Sequence, residues 1–251
     1  MKKITIIFLV FVSCFTGCQN LKKVNYDGNT IGSIAYNYNK ELGYTIYLIE
    51  NNKYVPFLVI HNYDNNKTLL LRKNTLIKPK KYNEVYDELY PSYYKNSDIN
   101  NFLNNEYYSS LDTKIQKLIS CTNIEITSKD SLEIHGNKIE SMNTFIFLLS
   151  TYELGYGLAN TATKEGIELD FFKNPNNRLA LDDSGKKSSY WLRTPDTGYS
   201  SAPYIVAQDG KIGSINAYDE DKVRPAFIVA SDTKIKKEFV NELDSMIFIF
   251  E

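Results

Sequence analysis

Two short apolar segments near the C-terminal end, each carrying one arginine and one proline, constrain the fold more than any other part of the chain. They are residues 190–195 and 223–227, and the first holds the only tryptophan, Trp191. An arginine beside a core needs a carboxylate or several carbonyl groups, because a buried charge without partners is costly. We therefore predict that Arg193 and Arg224, with Trp191, have structural roles, locking the start of a terminal hairpin to the last strand of the domain.

The chain before these segments has the pattern of one α+β domain over residues 43–230, and 43 % hydrophobic residues are enough for a real core. Three short apolar runs are separated by Asn and Asp turn residues, which predicts an antiparallel meander. The runs are residues 44–49, 54–61 and 68–71. Apolar residues at helical spacing follow Ser97 and Asp98, so a helix is predicted there with Ser97 or Asp98 as its N-cap. The apolar run at 145–149 predicts a buried central strand.

Ser150 and Glu153 directly follow that run and form the pattern of a capping box. In such a box the hydroxyl and the carboxylate each accept a backbone N–H of the other residue, so both residues are predicted to be structural. Glu153 or Asp196 could also supply the carboxylate that Arg193 needs. The alternative is that Arg193 captures a carboxylate or phosphate of a ligand.

The N-terminus has the order of a secretory signal, with Lys2 and Lys3 before an apolar run at residues 4–12 that is too short to span a bilayer. Residues 15–18, Phe-Thr-Gly-Cys, resemble the bacterial lipobox, with Phe where Leu is usual. The resemblance implies a signal peptide over residues 1–17, cleavage after Gly17 and a lipid on Cys18. We therefore expect a lipid-anchored protein on the extracytoplasmic face of the cell membrane.

The ends of the mature chain are predicted to be appendages of the domain. Residues 18–42 are polar and short of apolar residues, which is typical of a tether. Residues 231–251 place apolar side chains on one helical face, which predicts a helix packed on the domain. Those side chains are Ile235, Phe239, Leu243 and Met246.

Long, weakly patterned loops at residues 155–189 and 194–202 are the places where a ligand is expected. Calcium is the one cofactor for which the loops offer ligands, through Asp182 and Asp183, although no D-x-D-x-D-G spacing is present. Four residues are candidates for contacts with an organic ligand. They are Arg193, Asp196, Tyr199 and Tyr218.

Four motifs occur in order within residues 43–230. They are Ser97-Asp98-Ile99 with Leu103-Asn104, Phe147-Leu148-Leu149-Ser150 with Glu153, Trp191 to Pro195, and Val223 to Ala226. Together they resemble an uncharacterised bacterial family with W-L-R-S-P and V-R-P-A signatures, with Thr194 where Ser is usual. That family is similar in layout to C-type-lectin-like domains, including the formylglycine-generating group. The resemblance implies that the first and last strands pair and that long loops lie at one end. The catalytic cysteine pair of the formylglycine-generating enzymes is absent, because Cys121 stands alone in the domain.

No pair of carboxylates, and no nucleophile with a base, stands out in the sequence as a catalytic site. We therefore expect a non-catalytic surface binding module for a glycan, a wall fragment or a protein. A wall- or glycan-processing hydrolase and a scaffold without a small ligand are the alternatives. The net charge of −1 gives no basic field for nucleic acid, and the oligomeric state is left open.

Overall fold

The computed structural model describes residues 26–39, 43–84, 89–156 and 161–251. Short antiparallel strands dominate these residues and a few helices accompany them, which confirms the α+β class. Within these ranges no helix is both long and apolar enough to cross a bilayer. The predicted signal peptide and Cys18 lie outside the described residues.

The strands are named in chain order. They are β1 Thr45–Glu50, β2 Lys53–Tyr63, β3 Lys67–Arg72, β4 Lys80–Lys81, β5 Thr122–Thr127, β6 Ile139–Thr144, β7 Ile146–Phe147, β8 Ala180–Leu181, β9 Lys187–Ser188, β10 Tyr190–Pro195, β11 Pro203–Val206, β12 Ile212–Ser214, β13 Glu220–Asp221, β14 Ala226–Ala230, β15 Ile235–Val240 and β16 Ser245–Phe250.

The helices are short, and the longest helical segment is made of three joined pieces, α1 Asp98–Phe102, a π-helical turn Leu103–Tyr107 and α2 Tyr108–Ser110. The others are α3 Thr113–Leu118 and α4 Lys129–Ile134. Single 3₁₀ turns occupy Ile31–Ile34, Tyr94–Asn96, Asp170–Lys173, Pro175–Arg178 and Asn241–Leu243. The Ser97 hydroxyl accepts a hydrogen bond from the Asn100 N–H at 3.2 Å, so the predicted N-cap is confirmed.

The core sheet has five antiparallel strands in the order β1-β2-β3-β14-β7. The first three form the predicted meander. The strand β14 runs beside β3 over its whole length, with Phe227 opposite Leu70 and its ring 5.4 Å from that of Phe57. The expected pairing of the first and last strands is therefore wrong, because the meander places β1 at the sheet edge and leaves β3 inside.

The apolar run at residues 145–149 forms an edge strand and not the predicted central one. Only Ile146 and Phe147 pair with β14, and they do so at the margin of the sheet. Phe145 points into solvent and Leu148 and Leu149 are buried beyond the strand. The apolar run therefore predicted the burial of residues 146–149 correctly, but it did not predict that their strand lies at the edge of the sheet.

The predicted C-terminal helix is wrong, because residues 235–250 form the two-stranded hairpin β15–β16. Its strands pair from Ile235 opposite Phe250 to Val240 opposite Ser245, and Asp244 turns the chain at φ +45°. The β-branched and aromatic residues of the second strand favour extended structure, and the pairing outweighs a short helical periodicity. The domain itself covers the apolar end, since Ile247 is buried and Phe250 packs on the core.

The predicted tether does not describe residues 26–39, which pack on the domain. Ile31 and Ile34 are fully buried. The backbone N–H of Ile31 donates to the Thr233 carbonyl at 2.9 Å, and Thr30 forms a β-bridge with Lys234. A few apolar residues in a polar segment were enough to join it to the core.

Candidate functional site

The fully buried Arg193 in β10 forms the centre of a charged cluster. Its Nη1 and Nη2 atoms donate to the two carboxylate oxygens of Glu153 at 2.7 and 3.0 Å. Its Nη1 also donates to the Leu148 carbonyl at 2.9 Å, and its Nε donates to the Glu125 carbonyl at 3.0 Å. Of the two carboxylates considered as partners of Arg193, the structure pairs Glu153 with it and not Asp196. Ligand capture by Arg193 is not supported, because its guanidinium has no accessible surface.

The capping box is present as predicted. The Ser150 N–H donates to Glu153 Oε2 at 2.9 Å, and the Glu153 N–H donates to Ser150 Oγ at 3.0 Å. A turn rather than a regular helix follows these residues. One carboxylate therefore serves both the cap and the guanidinium of Arg193.

Glu165 is a second carboxylate beside Arg193 and was not identified from the sequence. It is fully buried, with Oε2 lying 3.4 Å from Arg193 Nε. Its oxygens accept hydrogen bonds from the N–H and hydroxyl of Thr127 at 2.7 and 2.6 Å and from the Thr194 hydroxyl at 2.8 Å. Burial raises the pKa of Glu165, although Arg193 and these hydrogen bonds oppose the shift.

Arg224 and Trp191 are also structural. The Arg224 Nε and Nη2 atoms donate to the carbonyls of Arg72 and Lys73, both at 3.0 Å, and its guanidinium lies over the Tyr190 ring at 5.2 Å. Trp191 is fully buried and donates from Nε1 to the Lys80 carbonyl at 2.8 Å. The prediction of carbonyl partners therefore holds for Arg224.

Asp182 and Asp183 have separate local partners. Asp182 Oδ1 accepts hydrogen bonds from the N–H and hydroxyl of Ser184 and from the Lys186 N–H. Asp183 forms a two-fold hydrogen-bonded ion pair with Arg72, with both distances at 2.9 Å. No group of three or more His, Cys, Asp or Glu side chains within the described ranges is arranged to hold a metal. The structure therefore gives no support to calcium binding by this pair.

The residues Asp196, Tyr199 and Tyr218, which the sequence predicted to contact a ligand, differ in how accessible they are. Asp196 is buried, and its oxygens accept the Gly198 N–H at 2.9 Å and the Ser214 hydroxyl at 3.1 Å. Tyr199 is 70 % exposed at the loop surface, whereas Tyr218 is half-buried. Of these residues only Tyr199 presents a freely accessible ring.

An open polar recess lies elsewhere, between the helical segment at residues 95–105 and the edge of β6. We call it the asparagine groove. It has a volume of about 680 Å³, and Phe145 and Cys121 stand exposed at its rim. Six of its residues carry amide side chains. They are Asn96, Asn100, Asn101, Asn104, Asn105 and Asn143.

Asn104 fixes the two walls of the groove relative to each other. Its Nδ2 donates to the Ile146 carbonyl at 2.9 Å, and its Oδ1 accepts the N–H groups of Phe145 and Ile146 at 3.0 and 3.1 Å and the Thr144 hydroxyl at 3.0 Å. The residue lies in the π-helical turn, a feature that often marks functional positions in helices. Its amide is fully used, so its role is to position the groove.

Other amides of the groove are held in place and still have groups free for a ligand. Asn105 Nδ2 donates to Asn101 Oδ1 at 2.5 Å, and Asn123 Nδ2 donates to Asn143 Oδ1 at 3.1 Å. Among the described residues nothing bonds to the Nδ2 atoms of Asn101 and Asn143. Phe145 is 39 % exposed, and its ring packs against the Tyr108 ring with 5.4 Å between the ring centroids.

The sequence contained a signal for this groove that was not used. Asn100, Asn101, Asn104 and Asn105 have the spacing of neighbours on one helix face, since residues one turn apart lie side by side. The second wall cannot be inferred in that way, because β6 reaches the helix only through the tertiary fold.

A comparison with known protein families gives one match, to the family described as Domain of unknown function (DUF6273), over residues 65–231. No curated protein and no solved structure matches the chain. The family match covers more than half of the 251 residues. It contains the core strands β3 and β14, the charged cluster around Arg193 and the whole asparagine groove. The chain therefore belongs to the DUF6273 family of domains of unknown function.

Proposed function

We propose that this protein is a membrane-anchored bacterial surface lipoprotein whose domain is a non-catalytic module that binds glycans in the asparagine groove. The observation that carries the proposal is the groove itself, an open recess of about 680 Å³ lined by amide side chains with an exposed aromatic ring at its rim. A volume of this size is in the range of small-ligand sites, roughly 300–1,000 Å³.

The chemistry of the groove suits hydroxyl-rich ligands. A side-chain amide both donates and accepts hydrogen bonds, as a sugar hydroxyl or an N-acetyl group does. The Asn101–Asn105 and Asn123–Asn143 pairs already hold their amides, which lowers the entropy lost on binding. The face of the Phe145 ring carries negative quadrupole charge, which suits the polarised C–H groups of a sugar.

The carboxylates favour binding over hydrolysis. A glycosidase places two carboxyl groups about 5–10 Å apart across its cleft. Asp98 is the one carboxylate among the described residues lining the groove, and its Oδ2 accepts the Glu84 N–H at 2.7 Å. Glu153 and Glu165 are buried around Arg193 and do not line the groove.

A C-type-lectin-like layout is also part of the proposal. It is supported by the return of β14 into the core sheet beside the N-terminal meander, although β14 pairs with β3 and not with the first strand, and by the long connection between β7 and β8. Comparison of an experimental structure with lectin-like domains tests it. A topology in which β14 does not join the meander would exclude the layout.

The test of binding uses N-acetylglucosamine oligomers and purified wall fragments in calorimetry. Phe145→Ala and Asn101→Ala each remove about 1 kcal/mol of contact, so affinity is expected to fall roughly fivefold. Phe239→Ala and Asn137→Ala are matched controls, because both residues are exposed and outside the groove. Bound oligomer should also slow maleimide labelling of Cys121. Absence of binding, or equal losses in the controls, would refute the proposal.

The lipid anchor is tested separately. The full chain should partition into detergent after processing that globomycin inhibits, and Cys18→Ser should abolish both processing and partitioning. A Cys18→Ser protein that is still processed at the same position would show that residues 1–17 are an ordinary signal peptide.

A further inference from the structure

A second recess of about 360 Å³ lies beside the β5–β6 hairpin. Asn65 of the β2–β3 turn and Lys67 at the start of β3 contribute to its wall, and the hairpin supplies Asn123, Glu125 and Ser141. The buried side chains of Glu153 and Arg193 line its inner end. We call it the hairpin recess, and no role described above uses it.

The hairpin recess and the asparagine groove meet along the hairpin. Asn123 lines the recess and Asn143 lines the groove, and the two residues are directly paired across β5 and β6. Their amides share a hydrogen bond of 3.1 Å. Thr122 of the recess also follows Cys121 of the groove in sequence. The two spaces therefore adjoin at the Asn123–Asn143 pair.

The hairpin recess shares neutral polar and apolar groups with the groove, and its lining also carries the charged side chains of Lys67, Glu125, Glu153 and Arg193. Asn65, Asn123 and Ser141 are exposed and supply amide and hydroxyl groups. Ile167 is 44 % exposed and supplies an apolar surface beside them, as Phe145 does in the groove. A chain of similar units that enters one recess would meet similar partners in the next.

We propose that the asparagine groove and the hairpin recess are two subsites of one elongated site that selects linear oligosaccharides over single sugars and disaccharides. The inference rests on the proposed glycan binding in the groove and adds its direction and length. The Asn123–Asn143 pair is the junction, so the sugar chain crosses the hairpin there. Residues two apart on β6, such as Ser141 and Asn143, are about 7 Å from each other along the strand, so a ligand must extend beyond one sugar ring to contact both recesses.

The experiment measures the affinity of the full chain for N-acetylglucosamine oligomers from the disaccharide to the hexasaccharide. We expect affinity to rise at least about tenfold along the series, because the second subsite adds contacts to a ligand already held. Ile167→Ser and Asn65→Ala together should remove most of that gain and leave disaccharide affinity unchanged. Ile139→Ser is the matched control, since Ile139 is 42 % exposed on β6 and lines neither recess.

The outcomes separate this inference from the proposed function. Equal affinity at every length, or a gain that survives the double substitution in a folded protein, would overturn the elongated site while leaving binding in the groove intact. Failure of every oligomer and wall fragment to bind would overturn the proposed function and the inference together. Circular dichroism and thermal unfolding of each variant establish that the fold is unchanged.

Discussion

The two carboxylates beside Arg193 should contribute unequally to stability, and this difference tests the account of the core. Glu153 makes two short hydrogen-bonded contacts with the guanidinium, at 2.7 and 3.0 Å, and also caps Ser150. Glu165 lies farther away, at 3.4 Å, and its oxygens are mainly engaged by Thr127 and Thr194. The substitutions Glu153→Gln and Glu165→Gln change charge with little change in shape.

The expected magnitudes follow from these contacts. Removing one partner of a buried ion pair costs about 3–5 kcal/mol, and because Glu165 still faces Arg193 we expect Glu153→Gln to cost about 3 kcal/mol. In Glu165→Gln the amide oxygen can keep the Thr127 hydrogen bonds and the amide nitrogen can donate to the Thr194 hydroxyl. The cost should therefore be about 1 kcal/mol or less.

Urea unfolding measured by circular dichroism gives the free energy of unfolding of each variant. Lys211→Ala is the control, because its ion pair with Asp209 is on the surface and should not change the free energy of unfolding measurably. If Glu165→Gln costs as much as Glu153→Gln, then Glu165 and not Glu153 is the main counter-ion of Arg193.

Three other perturbations follow from the same geometry. Burial raises the pKa of Glu165, so the folded state binds the proton of this carboxyl group more tightly than the unfolded state does. The free energy of unfolding of the wild type should therefore fall relative to that of Glu165→Gln as pH rises above about 4.3 towards the folded pKa. Unfolding series between about pH 4 and pH 8 measure this difference, and a difference that stays constant with pH would contradict it. Gly166→Ala should destabilise the fold by at least about 2 kcal/mol in thermal unfolding, because Gly166 has φ +82° and a Cβ would lie 2.6 Å from Glu153 Oε1. Asn104→Ala should cost about 2 kcal/mol, because it removes the acceptor of the Phe145 and Ile146 N–H groups, and Asn105→Ala should cost much less.

The parts of the fold that depend on neighbouring residues were predictable from the sequence. The Ser150–Glu153 box and the Ser97 cap each join residues three apart, and the meander is marked by its own turn residues. For Arg193 the sequence predicted a carboxylate partner and reduced the choice to Glu153 or Asp196, and the structure selects Glu153. These elements need no knowledge of how distant segments meet.

The elements that sequence reasoning missed are set by distant contacts. Asn104 joins a helix to residues 42 positions away, and Thr127 reaches Glu165 across 38 positions. The C-terminal helix was predicted from four apolar positions, but the competing strand pairing depended on both halves of the hairpin at once. Local periodicity does not show whether a segment that could form a helix or a strand will find a second strand to pair with.

Because the groove is lined mainly by neutral side chains, the affinity for a ligand should depend little on salt. The charged side chains of Arg193, Arg224 and Asp183 form hydrogen bonds and ion pairs within the fold. The groove, in contrast, presents mainly neutral amides. Screening by salt weakens exposed charge contacts but acts little on neutral hydrogen bonds. Affinity for a neutral N-acetylglucosamine oligomer should therefore change little between low and high ionic strength. A steep loss with salt in calorimetry would mean that charged residues at the rim, such as Lys95, make the main contacts with the ligand.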